Sequence, residues 1–337
     1  VVTGSGNRHA ILQDVQKVLN GEETKVVDIR PHQKGESFEE LPMDRFADHT
    51  RAFVKVEDGC NRRCAYCVIP RARGPVRSRS EISILEELRR LAASGYCEVV
   101  LTAISLPSYG KDTGTGLAEL VEHAAAVAGI ERIRLGSLDP DMLTDDDIRR
   151  LAAVPKLCPQ FHLSLQSGSD TVLKRMNRKY DTARYLESVR LLHRYFPGCA
   201  ITTDLIVGFP GETEQEFSQS VSFLQTCELA AVHVFPYSRR KGTPAASMPD
   251  QIEKAEKERR AAVAGETAAA LHRAYLARQL GTEHDVLFEQ TEKGYFTGHT
   301  MNYVKVYCDA ENLRNEIRRV RITALFEDGV LAEPVSA

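Results

Sequence analysis

The sequence predicts an α/β chain: an incomplete barrel of six strand–helix units, a small all-β barrel behind it, and a truncated α/β segment in front. Three observations carry this. Between residues 53 and 236, short β-rich runs alternate with amphipathic stretches, and each unit takes about thirty residues, the size of a parallel βαβ repeat. Eight such units would close a (β/α)8 barrel and need ~250 residues, so six leave it open. After Gly281 the helical period gives way to short alternating runs.

Residues 1–48 open on Val1-Val2-Thr3-Gly4 and continue into a helical pattern through Ile11, Val15, Val18 and Leu19, closed by Gly21. Val26-Val27 is a candidate strand, and residues 31–48 read as polar linker. With no initial Met, this segment reads as the remnant of a larger N-terminal domain. The barrel is expected over 49–250, with strands at Phe53–Glu57, Glu98–Thr102, Arg132–Ser137, Phe161–Gln166, Ile201–Val207 and Ala231–Phe235. Ser78 with Glu81, and Thr213 with Glu216, have capping-box spacing. Thr144 precedes Asp145-Asp146-Asp147, acids placed where a helix dipole favours them. Gly168-Ser169-Asp170 and Gly208-Phe209-Pro210-Gly211 read as turns into helices. Residues 251–280 form a charge-rich connecting helix, Glu253 to Gln279. Strands at Glu283–Phe288, Tyr295–His299, Tyr303–Cys308, Arg318–Phe326 and Val330–Pro334 then make a five-stranded barrel over 281–337.

A chain of 337 residues can bury the cores of two or three domains. Its net charge of -3 gives no global basic field. No run of eighteen apolar residues occurs, which argues against a membrane span. Eight cysteines, too scattered for a disulfide scaffold, suit metal binding in a reducing cytosol and place the chain in the cytoplasm.

The cysteines cluster once, in Cys60-Asn61-Arg62-Arg63-Cys64-Ala65-Tyr66-Cys67. Thiolates at this spacing can wrap one soft metal centre. Zinc is the first rival, but a closed zinc site needs four ligands, and the next cysteine is Cys97. An iron–sulfur cubane held by three cysteines leaves one iron open. Three incidental buried cysteines are the plain alternative. Cys97, Cys158, Cys199, Cys227 and Cys308 stand alone in sequence and read as structural.

The motif resembles the CxxxCxxC signature of radical S-adenosylmethionine (SAM) enzymes. Asp58-Gly59-Cys60-Asn61, Ile69-Pro70-Arg71-Ala72-Arg73-Gly74, Gln166-Ser167-Gly168-Ser169-Asp170, Gly208-Phe209-Pro210-Gly211-Glu212-Thr213 and Gly242-Thr243-Pro244-Ala245-Ala246 are similar to words of the methylthiotransferase family, from about Phe53 to the C-terminus. Val76-Arg77-Ser78-Arg79, Thr202-Thr203-Asp204 and His233-Val234-Phe235-Pro236-Tyr237-Ser238 most resemble the branch acting on threonylcarbamoyladenosine beside the tRNA anticodon. The nearest rivals are the enzymes for isopentenyl-adenosine tRNA or a ribosomal protein, and a non-catalytic iron–sulfur RNA-binding relative. The resemblance implies a radical-SAM partial barrel, a TRAM-like oligonucleotide-binding barrel at 281–337, and a [4Fe-4S] cluster on Cys60, Cys64 and Cys67. It further implies SAM cleaved to a 5′-deoxyadenosyl radical, a tRNA anticodon stem-loop as partner, and a reductant such as flavodoxin or ferredoxin. Tyr66, Ser164, Gln166, Asp204 and Tyr237 are the implied SAM contacts; no catalytic residue is assigned.

The family's auxiliary cluster takes three further cysteines, but Ser5 stands where the third is expected and no cysteine precedes Cys60. Its normal three-cysteine form therefore reads as lost from these residues. Thr102-Ala103-Ile104-Ser105 departs from the family's Thr-Gly with an Asn two residues on. Arg62, Arg63, Arg71, Arg73, Arg77 and Arg79, with no acid among them, and Arg239-Arg240-Lys241 are candidate phosphate contacts. Residues 281–337 carry six Lys/Arg and ten Asp/Glu, so a tRNA grip there needs local patches such as Arg318, Arg319 and Arg321.

Overall fold

The computed structural model describes every residue except 34, 42, 44, 47, 48, 311, 312, 336 and 337; part of the expected 31–48 linker thus lies outside the described residues. At the N-terminus β1 (Val2–Thr3) and β2 (Val27–Asp28) pair in parallel across α1 (Ile11–Leu19). The amphipathic pattern makes the expected helix but turns its apolar side outward, with Leu12 76% and Leu19 80% exposed.

The alternating region begins with β3 (Arg51–Lys55), β4 (Glu57–Asp58), α2 (Ile69–Arg73), β5 (Arg77–Ser78), α3 (Glu81–Ala93) and β6 (Glu98–Thr102). It continues through α4 (Leu117–Ala125), β7 (Arg132–Leu135), β8 (Ser137–Leu138), α5 (Asp145–Ala152), β9 (Gln160–Leu163), α6 (Asp170–Arg175) and α7 (Thr182–Tyr195). It closes with β10 (Ala200–Val207), α8 (Glu214–Thr226) and β11 (Ala231–Pro236). Strands β3-β6-β7 form one parallel sheet and β8-β9-β10-β11 a second. An Ile133–Leu157 bridge joins β7 to the chain entering β9.

Strand period sorts the side chains. Ala52, Val54, Val99, Leu101, Ile133, Leu135, Phe161, Leu163, Ile201, Leu205 and Val207 share one core with Leu88, Val121, Ile148, Leu192 and Leu224 of the helices. Alternate positions, among them Arg51, Arg134, His162, Thr202 and His233, line a cavity on the other face.

Cap signals decide where helices begin. Thr144 and Thr213 each close a full capping box, with Asp147 and Glu216 respectively. The Ser78–Glu81 box does not form: α3 starts after Ser80, with no side-chain cap. Ser78 is held in β5 opposite Glu57, and its hydroxyl donates to Asp112. The fourth predicted strand, Phe161–Gln166, ends at Leu163; Gln166 takes a φ of 71°, which regular strand cannot accommodate. The third is cut at Gly136 into β7 and β8.

The connecting helix is α9 (Lys254–Ala277). Its buried Arg260 pairs with Glu212 at 2.8 Å. Beyond it, β12 (Glu283–Glu292), β13 (Tyr295–Thr300), β14 (Lys305–Cys308), β15 (Ile317–Phe326) and β16 (Gly329–Pro334) form a closed barrel, ordered β12-β13-β14-β16-β15. Val286, Phe288, Val306, Val320, Ile322 and Val330 fill its interior, and Tyr275 and Leu276 of α9 join that core. Arg132 and Arg134 of β7 reach across to the barrel's backbone: Arg132 donates to Asp285 O at 2.7 Å and His299 O at 3.1 Å, Arg134 to Met301 O at 3.0 Å. Among the described residues no helix is long and apolar enough to cross a membrane.

Candidate active site

The cysteine loop leaves the tip of β3 and is tied at its base by the β4–β5 pairing. Gly59, at φ 91°, begins it; a Cβ there would meet Pro75 O at 1.9 Å, so only glycine fits this approach. Cys60 N–H donates to Gly74 O at 3.0 Å and Cys67 N–H to Cys64 O at 3.1 Å. The loop is strapped on both sides: Ala65 N–H donates to Met176 O, and Ala245 N–H to Ala65 O, each at 2.8 Å. Below it, buried Asp58 gathers Lys55 at 2.5 Å, Arg73 at 3.5 Å, Arg77 at 3.7 Å and Arg8 at 3.8 Å.

All three cysteines are free thiols. Burial pushes the Cys60 thiol up to about 11 and raises that of Cys67, so positive charge at the site is what would favour the thiolates. Donors already point at two of the sulfurs: Arg62 N–H lies 3.4 Å from Cys60 Sγ, and the Arg178 guanidinium 3.3 Å from Cys64 Sγ. Among the described residues, the metal-type ligands that close to within 4.8 Å of one another are His162, Asp204 and His233, not these sulfurs. Three free thiols on one loop are the donor set a cubane takes from cysteines at such spacing.

Around the loop the structure assembles residues that sequence reasoning missed. The Arg178 side chain is 8% exposed, and besides Cys64 it donates to Asp139 at 2.7 Å and to Tyr180 Oη at 2.9 Å. Tyr180 in turn donates to Ser164 O at 2.5 Å and Leu165 O at 2.9 Å. Asp139 also accepts from Ser105 Oγ at 2.9 Å, so the residue standing where the family has Asn is tied into the same network. Glu57, fully buried, accepts from the Ile104 and Ser105 N–H groups at 3.1 and 3.0 Å, and burial lifts its carboxyl to about 7. The signal for Arg178 lay in Met176-Asn177-Arg178-Lys179-Tyr180, two adjacent cations after a helix; nothing local says which is buried.

The expected SAM contacts fall into two groups. Tyr66 and Tyr237 flank Phe209, with ring centroids 6.5 and 5.4 Å away, in a small core beside Ala65. Ser164 and Gln166 follow β9, where Gln166 N–H donates to Asp204 O at 2.9 Å and its carbonyl accepts from Ile206 N–H at 2.9 Å. A residue other than glycine held at positive φ marks a functional candidate. Asp204 is placed otherwise: its carboxylate faces His162 Nε2 at 3.4 Å.

The basic run is largely consumed internally. Arg62 pairs with Asp141 at 2.7 Å, Arg73 and Arg77 with Asp58, and Arg79 with Glu87. Arg63 and Arg71 stay exposed, as do Arg240 and Lys241; Arg71 donates to Gly242 O at 2.8 Å, which brings the two stretches together. Arg239 instead donates to Ala246 O. On the C-terminal barrel, Arg319 and Arg321 pair with Glu283 and Arg318 with Glu316. Ser5 contacts His32 Nε2 at 2.8 Å and the carbonyl of Ala72 in α2, so the position expected for an auxiliary-cluster cysteine lies against the cysteine loop's helix.

Known proteins resemble this chain in sequence and in fold. The profile of the radical SAM superfamily matches residues 54–224. The threonylcarbamoyladenosine tRNA methylthiotransferase MtaB of Thermotoga maritima is 37% identical over 334 residues, covering 98% of this chain and 76% of the relative. Its namesake in Bacillus subtilis is 36% identical over 330 residues, covering 96% and 73%. The tRNA-2-methylthio-N(6)-dimethylallyladenosine synthase of Clostridium botulinum (strain Okra / Type B1) is 38% identical over 299 residues, covering 87% and 65%. Among solved structures, the radical SAM methyltransferase TsrM of Kitasatospora setae, with cobalamin and a [4Fe-4S] cluster bound, aligns with a TM-score of 0.50 at 20% identity, over 58% of this chain and 38% of that one. Coproporphyrinogen III oxidase (HemN) of Escherichia coli, a radical SAM enzyme, aligns with a TM-score of 0.50 at 16% identity, over 68% and 54%; both likenesses speak to the fold alone. On the family profile and the identity with the MtaB proteins along nearly its whole length, the chain belongs to the radical SAM superfamily and, within it, to the tRNA methylthiotransferase family.

Proposed function

We propose that the protein converts N6-threonylcarbamoyladenosine next to the tRNA anticodon to its 2-methylthio derivative. The observation that carries this reading is the three-cysteine loop, in a chain matching MtaB of Thermotoga maritima over 98% of its length. Cys60, Cys64 and Cys67 would hold the [4Fe-4S] cluster. Bound there with SAM, it supplies a one-electron reduction of the sulfonium and a 5′-deoxyadenosyl radical that abstracts hydrogen.

The chain's own residues orient and shield. Arg178 sets its charge between Cys64 and Asp139, fixing one sulfur while neutralising a buried carboxylate. Tyr66, Phe209 and Tyr237 exclude water on one side of the loop, and with Ser164 and Gln166 are proposed to line the SAM site. Arg63, Arg71, Arg240 and Lys241 form an exposed basic rim suited to phosphate. The remaining parts of the reading are a six-unit partial barrel over 49–250, the connector 251–280, a TRAM-like barrel at 281–337, a flavodoxin or ferredoxin reductant, and a cytoplasmic location.

Mass spectrometry of tRNA nucleosides from a deletion strain tests the substrate: loss of the 2-methylthio threonylcarbamoyl nucleoside is expected. Loss of the dimethylallyl counterpart would favour the second reading, which the 38% identity to the Clostridium synthase supports. Loss of neither would reject both. For the ligands, Cys64→Ala is expected to abolish cluster uptake and its brown colour, and unchanged iron content would overturn that assignment.

A further inference from the structure

A cavity of about 820 Å³ reaches the end of the strands opposite the cysteine loop. Arg51, Gln160, Ala200 and Ala231, the first residues of β3, β9, β10 and β11, line it with Ala268 and Ala269 of α9. Barrel chemistry belongs to the other, C-terminal strand ends, so the cluster does not account for this space. Large branched side chains fill the interior of a closed barrel in layers; here alanines at the strand starts leave it open. Phe53, still 41% exposed, lines the same space.

The floor of the cavity is charged. Parallel register sets Arg51, Glu98 and Arg132 side by side on β3, β6 and β7, with Arg134 two residues further on. Glu98 lies 3.9 Å from Arg51, 3.6 Å from Arg132 and 3.1 Å from Arg134, and Glu289 lies 2.9 Å from Arg51. The three arginine side chains are 14%, 2% and 4% exposed, and among the described residues no third carboxylate pairs with them. Three buried cations against two carboxylates leave one positive charge without a counter-ion, which is costly unless an anion supplies it. Tyr303, in the turn between β13 and β14, puts its ring 5.1 Å from Arg51 and 4.6 Å from Arg134. It does so at a φ of 64°, which a tyrosine holds only where its surroundings impose it.

We propose that this cavity binds a small carboxylate with an apolar body, at a site separate from the iron–sulfur cluster. The carboxylate meets Arg51 and Arg134, whose planar forks match its geometry, and the body lies along Phe53, Val100 and Ala269. Apolar walls with a few converging polar groups are what small-molecule sites share. A bare inorganic anion would satisfy the arginines but leave the apolar walls wet, so the ligand carries hydrocarbon. The competing account is that the arginines only fasten the two barrels and the cavity holds water. It predicts no preference for a carboxylate.

The test is calorimetric titration of the cluster-loaded full chain with octanoate. Octanol supplies the body without the charge, and acetate the charge without the body. One saturable octanoate site per chain is expected, at least about 10-fold tighter than either control. Arg51→Gln should weaken octanoate about 10- to 100-fold, the worth of a charge-assisted pair, and leave octanol unchanged. Ala269→Trp, at an exposed position of α9, should weaken both. No saturable site, equal affinity for octanol and octanoate, or full octanoate affinity in Arg51→Gln would overturn the proposal. Anomalous diffraction at the bromine edge, with 8-bromooctanoate on the unsubstituted protein, gives a readout independent of variant folding. A peak beside Phe53 and Ala269 is expected; a bromine peak only elsewhere sinks the site.

Discussion

Glu57 shows most directly what burial does to one side chain. Its Oε2 accepts two backbone N–H groups, while Oε1 has no partner among the described residues. With its carboxyl lifted from 4.5 to about 7 by desolvation, the folded chain keeps a proton that the unfolded chain releases. Stability therefore falls as pH rises from about 4.5 to 7, and ionisation above that costs about 3 kcal/mol. Glu57→Gln keeps the accepting oxygen and removes the ionisation. The expected outcome is a narrower gap between thermal midpoints at pH 5 and pH 8; an unchanged gap would mean Glu57 does not set it. Arg178 is the second residue that decides the site. Arg178→Ala strands Asp139 and withdraws the donor from Cys64, so iron per chain should drop while far-UV circular dichroism holds. Neither residue was legible as functional. An Arg in a basic stretch and a Glu beside an Asp look the same on a surface as in a core, and only packing tells them apart.

Among the elements, helix starts separate local from distant control. Thr213 caps α8 and exchanges bonds with Glu216 three residues on, a pairing the chain makes within one turn. Thr213→Ala should cost about 1 kcal/mol, read as a shift in denaturant midpoint. Ser78 had the same spacing to Glu81, but Asp112, far along the chain, captures its hydroxyl. Ser78→Ala should consequently loosen the β5–Asp112 contact rather than unwind α3. The cysteine loop is the other case. Its thiol spacing is local, but its shape depends on Gly59 passing under Pro75 and on straps from Met176 and Ala245. Gly59→Ala should lower cluster occupancy with little loss of helix, because the displaced segment is the loop itself.

Across the whole molecule, the two cores are fastened by charge as well as apolar contact. Arg132 and Arg134 share Glu98 in the first core and donate to carbonyls of the C-terminal barrel. Arg132→Leu would leave Glu98 to Arg134 and Arg51 and remove the two hydrogen bonds to the barrel's carbonyls, an expected loss of about 3 kcal/mol. A lower thermal midpoint, with earlier proteolytic release of the barrel, is the check. The same long-range pairing explains why the basic run misled. Asp58, Asp141 and Glu87 neutralise four of its arginines, and Asp141 stands far outside the run.

By itself the sequence determined the alternation of strands and helices in an α/β fold, the five strands of the closing barrel and the three thiols on one loop. Each depends on periodicity, caps or spacing within a few residues, which the backbone imposes wherever the chain lies. Tertiary structure alone decided which charges are spent inside, which arginine meets a cysteine, and that His162, Asp204 and His233 face one another. Those outcomes follow from strand register and the close packing of segments far apart in sequence, where a buried charge must find a partner and an exposed one need not.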